Sequence, residues 1–250
     1  MISFLDLLAL GFILLAAVAL MVYRIQIKKN GRPVFRPITS FDRLKKGIGL
    51  AVEDGSRIHV SLGKSSLTDP SNPSALVGLA VLEQIGHASS LSDRPPVATS
   101  GDAGVALLSQ SALRAAYGSV NAPEQFDPQQ GRLAGITPMS YIAGSLPVVL
   151  DEDVSVNVLL GNFGPEAALL TEAAHHQGAL SIAASDSLTA QAALYASAAE
   201  PVIGEELFAA PAYLEDHPAH TASLKTQDLL RWLLIVGMAG GAILKLLGVL

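Results

Sequence analysis

Cysteine is absent from the 250 residues. Its absence excludes disulfides, thiolate nucleophiles and Cys-based zinc or iron–sulfur sites. Charge is scarce as well. Asp, Glu, Lys and Arg make up 15% of the chain, against about 25% in typical soluble domains. Cations are rarest in the middle: residues 51–225 hold 6 Lys/Arg and 19 Asp/Glu, a net charge of −13. An acidic body argues against nucleic acid, which needs clustered cations to neutralise phosphate. The low charge has two readings. One is a small, alanine-rich domain; the other is a surface covered by protein, since interface cores lose charge.

Two long apolar runs are present. Ile2–Tyr23 is 22 residues, interrupted only by Ser3 and Asp6. As a helix it reaches about 33 Å, enough for a hydrocarbon core of about 30 Å. A cleaved signal peptide needs cations before the run and a small-x-small site after it, and neither is there. Leu229–Leu250 is a second run of 22 residues. Its Arg231 and Trp232 suit a headgroup level. Gly237-x-x-x-Gly241 permits close helix contact or is simply composition.

Between the first run and the body lies a basic stretch. Arg24, Lys28, Lys29, Arg32, Arg36, Arg43, Lys45 and Lys46 are half of the 16 cations. Cations directly after a span hold that side in the cytoplasm and favour anionic lipid headgroups. The expected protein is a two-pass inner-membrane protein with its soluble domain cytoplasmic. Its parts are a span at 1–24, a basic connector at 25–50, an α/β domain at 51–225 and a span at 228–250.

Within the body, Gly47–Leu62 reads as a hairpin around Glu53–Ser56, with Arg57–Leu62 as a core strand. Asn72 caps a helix that has Pro73 at its first position and runs to about Ala88. Pro96–Thr99 is a strand, and Ala103–Tyr117 a helix closed by Gly118. Ser119–Leu146 is irregular, and either hides a short helix near Ser140 or packs on a partner. Val148–Leu160 gives strand signal around Asp151-Glu152-Asp153. Gly161–Pro165 opens a helix to about Gln177, and Leu180–Ala184 is a strand. Asp186-Ser187 caps a helix over Leu188–Ala199, Pro201–Ile203 is a strand, and Glu205–Ala210 a helical turn or two.

The order strand, Gly, helix, strand, Ser/Asp turn, helix occurs twice, at about 57–118 and 154–200. Alternating strands and helices imply parallel strands with crossovers. The expected fold is α/β: a Rossmann-like, mostly parallel sheet of two related βαβα halves, covered by helices on both faces. The stretches SLGKSSLTDPSNPSALVGLAVLEQIGHASS, SGDAGVALLSQSALRAAY, LLGNFGPEAALLTEAA and ASDSLTAQAALYA resemble an uncharacterised family of bacterial membrane proteins, catalogued as a domain of unknown function. The resemblance covers most of residues 40–245. It implies two membrane helices around an α/β domain and brings no activity and no site residues.

In open parallel sheets ligands sit at the carboxyl ends of strands. That rule points to Gly63, Lys64, Ser100, Asp102, Gly161, Asn162 and Asp186. The plainer reading is that Ser100, Asp102, Asp186 and Ser187 cap helices. Gly63-Lys64-Ser65 lacks the first glycine of a phosphate loop, the residue there being Ile58. Ser61-x-x-Lys64 fits an acyl-transfer pattern without its companion motifs. His175 and His176 point about 100° apart on a helix and suit its C-terminal dipole. His217 and His220 have no third metal ligand at a suitable spacing. No catalytic, metal or cofactor set is complete.

Asp6 and Lys245 are the ionisable residues deepest in the two runs, about 27 and 21 Å along a helix from Arg24 and Arg231. Such groups pair, or snorkel separately to the headgroups. The first functional expectation is a non-enzymatic, membrane-anchored assembly subunit whose partners are the lipid bilayer, itself and other membrane proteins. The alternative is an anchored enzyme or sensor that binds an anionic metabolite or nucleotide at the strand ends.

Overall fold

The computed structural model describes residues 4–31, 33–69, 72–90, 92–215 and 217–247. Its first elements are α1 (Phe4–Asn30), α2 (Thr39–Asp54), β1 (Arg57–Gly63), α3 (Asn72–Ser89), β2 (Val97–Ser100) and α4 (Ala103–Ser119). The middle adds β3 (Gly131–Leu133), α5 (Pro138–Asp151), β4 (Val154–Asn162) and α6 (Ala168–His176). The chain continues through β5 (Leu180–Ser185), α7 (Leu188–Ser197), β6 (Glu200–Val202), α8 (Glu206–Leu214) and α9 (Pro218–Leu246). Two compact units result. The chain ends, Met1–Arg36 with Glu215–Leu250, form one, and Pro37–Leu214 forms the other.

In the first unit α1 packs on α9, and Lys225 Nζ lies 5.9 Å from the centre of the Tyr23 ring. Both helices are long and apolar enough to cross a membrane. Both leave their large apolar side chains exposed, Ile13, Met21, Trp232 and Met238 among them. A core helix of a soluble domain would bury such residues. Both helices outrun the apolar runs: α1 continues through Lys28 and Lys29, and α9 begins at Pro218. A Cβ added at Gly237, Gly240 or Gly241 would meet nothing within 4 Å. The contact between α1 and α9 therefore makes no use of these glycines.

The second unit is built on a six-stranded sheet of order β3-β2-β1-β4-β5-β6. Every pairing is parallel. This is the doubly wound Rossmann order, with its switch point between β1 and β4. Helices α2, α3, α4 and α8 pack together on one face, and α5, α6 and α7 on the other. The first half carries α3 and α4 and the second α6 and α7, so the sheet joins two βαβα runs at β1 and β4. Their central register pairs Val60 with Val158 and Gly63 with Asn162. One core lies under α5–α7, with Tyr141, Ile142, Leu159, Phe163, Leu170 and Leu194 at its centre.

The expected hairpin at Gly47–Leu62 is not formed. Residues 39–54, placed mostly in a connector from sequence, are helix α2, which ends at Gly55 in a left-handed conformation (φ 66°). Phe41, Leu44, Ile48 and Ala51 bury a stripe against the sheet. Gly47 and Gly49 interrupt that pattern in the sequence. Gly47 has a packing reason, because a Cβ there would lie 2.9 Å from Leu180 Cδ2.

The strand expected from Val148 starts later. Residues 148–151 finish α5, and Asp153 turns the chain at φ 58° into β4. The irregular stretch 119–146 contains two 3-10 turns, edge strand β3 and the first turns of α5. A capping box between Thr137 and Ser140 starts α5. Gly118 does not close α4, which runs to Ser119. The expected Asn72 side-chain cap lies outside the described residues, as do Ile2 and Arg32.

Candidate functional site

The residues expected at the strand ends do come together, and they are engaged with one another. The end of β1 is held on both sides: Lys64 N–H donates to Asn162 O of β4 at 2.9 Å, and Gly101 N–H, just after β2, to Gly63 O at 2.8 Å. Gly63 has φ 74°, and a Cβ on it would lie 2.3 Å from Asn162 O. A Cβ on Gly161 would lie 2.1 Å from Leu62 O. Backbone therefore fills the space that these two glycines would otherwise offer a ligand.

The side chains are also committed. Lys64 Nζ pairs with Glu166 Oε1 at 3.1 Å, both side chains being mostly buried. Glu166 Oε1 also accepts from Gly164 N–H at 3.2 Å. Asn162 Nδ2 donates to Asp186 Oδ1 at 2.6 Å. Asp102 Oδ1 caps α4 by accepting from Val105 N–H at 3.0 Å. Ser100 Oγ accepts from Asp102 N–H at 3.1 Å. The expected cap at Asp186-Ser187 is not made by a side chain: Ser187 is the N-cap of α7 without a side-chain hydrogen bond, and Asp186 is held by Asn162 instead. Phe163 is buried between these loops, its ring 6.4 Å from that of Tyr141.

Beneath the strand ends runs a polar network that the sequence reading did not single out. His59 is fully buried. Its Nδ1 lies 2.8 Å from Asn157 Oδ1 and its Nε2 2.9 Å from Thr99 Oγ1. Asn157 Nδ2 donates to Leu170 O at 3.1 Å, which orients the amide. A neutral imidazole with its proton on Nδ1 then satisfies both neighbours. Burial drives the His59 pKa down to about 4, against the upward pull of the Asn157 bond.

The chain of bonds goes on from Thr99. Its Oγ1 lies 3.2 Å from Tyr141 OH, which meets Ser61 Oγ at 2.5 Å and accepts from Gly63 N–H at 3.3 Å. Burial raises the Tyr141 pKa, opposed by the bonds from Ser61 and Thr99. One readable signal pointed here. In Ile58-His59-Val60-Ser61-Leu62-Gly63, every second residue of a buried strand is polar or Gly, and all of these share one face. The members of the network are all buried, and their bonds to Tyr141 fasten α5 to the sheet.

The remaining expected sites behave as structure. Ser61 of the Ser-x-x-Lys pattern is buried against Tyr141 and Lys64 is paired, so neither is poised for acyl transfer. His175 and His176 occupy the last turn of α6. His217 Nδ1 caps α9 by accepting from Ala219 N–H, and His220 Nε2 lies 3.6 Å from Glu215. Among the described residues no three His, Asp or Glu side chains gather as a metal site.

A family profile for a domain of unknown function, DUF6754, matches residues 4–250. The chain belongs to that family. The match takes in both apolar helices and the α/β body. No curated protein and no solved structure matches the chain.

Proposed function

We propose that this protein is a membrane-anchored assembly subunit, held by α1 and α9, whose α/β body builds a homo-oligomer on the cytoplasmic side. The observation that carries this reading is the closed strand-end crevice. Lys64, Asn162, Asp186 and Asp102 spend their polar groups on Glu166, one another and a helix end. The body meanwhile exposes apolar side chains around the β3 edge: Ile136 is 77% exposed, Met139 62% and Leu107 64%. Leu67 packs against the start of α4 beside Gly104, and Gly135 abuts Gly101, which draws these loops into one region. Neighbouring apolar groups of this kind mark contact surfaces.

The lack of cysteine makes the test clean. Ile136→Cys in the otherwise cysteine-free chain should give disulfide-linked dimers in native membranes, and the extracted protein a native mass that is a multiple of 25.9 kDa. A monodisperse monomer in mild detergent and in nanodiscs sinks the proposal. Sidedness rests on the eight cations after the first run. An impermeant thiol reagent on intact cells should label Ile2→Cys and not Gln129→Cys. The alternative, an anionic ligand at the strand ends, requires Lys64 to exchange Glu166 for that ligand. A thermal-shift panel of nucleotides and metabolites decides it, and a saturable shift lost in Lys64→Met would favour the ligand.

A further inference from the structure

A cleft of about 320 Å³ opens between α2 and the amino-terminal ends of β4 and β5, far along the strands from the crevice above. Arg43 and Lys46 stand at one end, Leu50, Val156 and Leu180 line its floor, and Asp54 closes the other end. We propose that this cleft binds an anionic phospholipid, its phosphate on Arg43 and Lys46 and the start of its acyl chains on the apolar floor.

Charge complementarity commits the head. Residues 51–225 carry a net −13, whereas the first half of α2 presents Arg43, Lys45 and Lys46 to solvent against Asp42 alone, its other two acids, Glu53 and Asp54, lying in the last turn. Arg43 spends one guanidinium nitrogen on Glu200 and keeps the rest of its fork. Lys46 makes no ion pair among the described residues. Asp54 fixes the polarity: it lies eight residues beyond Lys46, about 12 Å along the helix, so an anion is repelled from that end and drawn to the other.

The floor commits the tail. Leu50, although it lines the cleft, is 59% exposed, where a surface helix ordinarily carries a polar residue. Gly47 lets α2 press onto Val156 and Leu180, which forms the groove rather than filling it. A free phosphate has no use for that apolar length, whereas a lipid uses both ends. The chain leaves the candidate span α1 only eight residues before α2 begins. Only the source of the lipid rests on the membrane-anchor reading; the site itself is made wholly of body residues.

The test uses the full chain carrying Gly49→Cys, an exposed position where a Cβ meets nothing within 4 Å. It is labelled with an environment-sensitive dye. Titration with short-chain phosphatidylglycerol in detergent should give a saturable blue shift, and phosphatidylcholine none. Lys46→Gln, which leaves the Arg43–Glu200 pair intact, should weaken the response about tenfold, the scale of one charge-assisted bond. Arg43→Gln should weaken it similarly. Equal responses to the two lipids, or unchanged binding in Lys46→Gln, overturn the proposal. So does a full response to glycerol phosphate, which would reveal a headgroup-only anion site. Alkaline carbonate extraction of native membranes is read separately. Release of the protein would defeat the anchor reading and leave the titration result standing.

Discussion

His59 is a base held neutral, and its sign is fixed. The folded pKa of about 4 lies below the ordinary 6.5, so the unfolded chain binds the extra proton between those values. Its contribution to stability is full above pH 6.5 and is lost as pH falls towards 4. A shift of that size is worth roughly 3 kcal/mol. Thermal melts of the full chain in detergent should therefore drop between pH 7 and pH 4.5, and His59→Gln should flatten most of that drop. An unchanged slope in the variant would place the acid sensitivity elsewhere. The glycines at the β1–β4 junction make a second residue-scale case. Gly161→Ala puts a methyl 2.1 Å from Leu62 O. If that glycine serves backbone approach, the variant should lose several kcal/mol or fail to fold, with or without any ligand present. A variant with wild-type melting would reopen the crevice as a binding cradle. The sequence showed Gly63 and Gly161 and, beside them, Lys64 and Asn162. It could not show that a second strand occupies their space, because the pairing of β1 with β4 joins positions roughly a hundred residues apart.

At the scale of elements, regular alternation was legible and interruptions were not. The strands β1, β2 and β5, the main part of β4, and helices α3, α4, α6 and α7 follow from buried runs bounded by Gly, Ser and Asp, whereas α5 was read as irregular chain and strand. Helix α2 was hidden because Gly47, Gly49 and Gly55 imitate a turn-rich hairpin, while its buried stripe is only partly apolar. Edge strand β3 has three residues, too few for a period to register. Glu166 escaped notice since its role depends on a partner a hundred positions away. That α2 belongs to the core is testable. Phe41 is 1% exposed, with its ring 5.4 Å from that of Tyr213. Phe41→Ala should cost about 3–5 kcal/mol, as for a core aromatic. A connector residue would cost almost nothing in the same melt.

At the scale of the whole molecule, the two apolar helices carry one ionisable residue each near the chain ends, Asp6 in the first turn of α1 and Lys245 in the last turn of α9. We expect them to pair, within a chain or between copies. Asp6→Lys and Lys245→Asp should each reduce extraction stability or assembly, and the double variant should recover what both lost. Additive losses, or none, would describe two separate charges at the headgroups. The two apolar helices and the body between them were legible from run lengths, whereas the packing of α1 on α9 was not. Nor was the closed crevice, since it depends on which polar groups find each other.

The order of the sheet also sets a clock. The central strands β1 and β4 are neighbours in space, yet Arg57 must wait for Val154. At about 5–20 residues per second, synthesis leaves β1 without its inner partner for roughly 5–20 s. During that interval the first half-sheet shows the ribosome's surroundings the edge that later lies at the molecule's centre. Its α1 precedes it in the chain and is long and apolar enough to cross a membrane. A nascent chain stalled shortly before β4 leaves the ribosome should thus be protease-sensitive through β1, and one stalled after β5 should be resistant there.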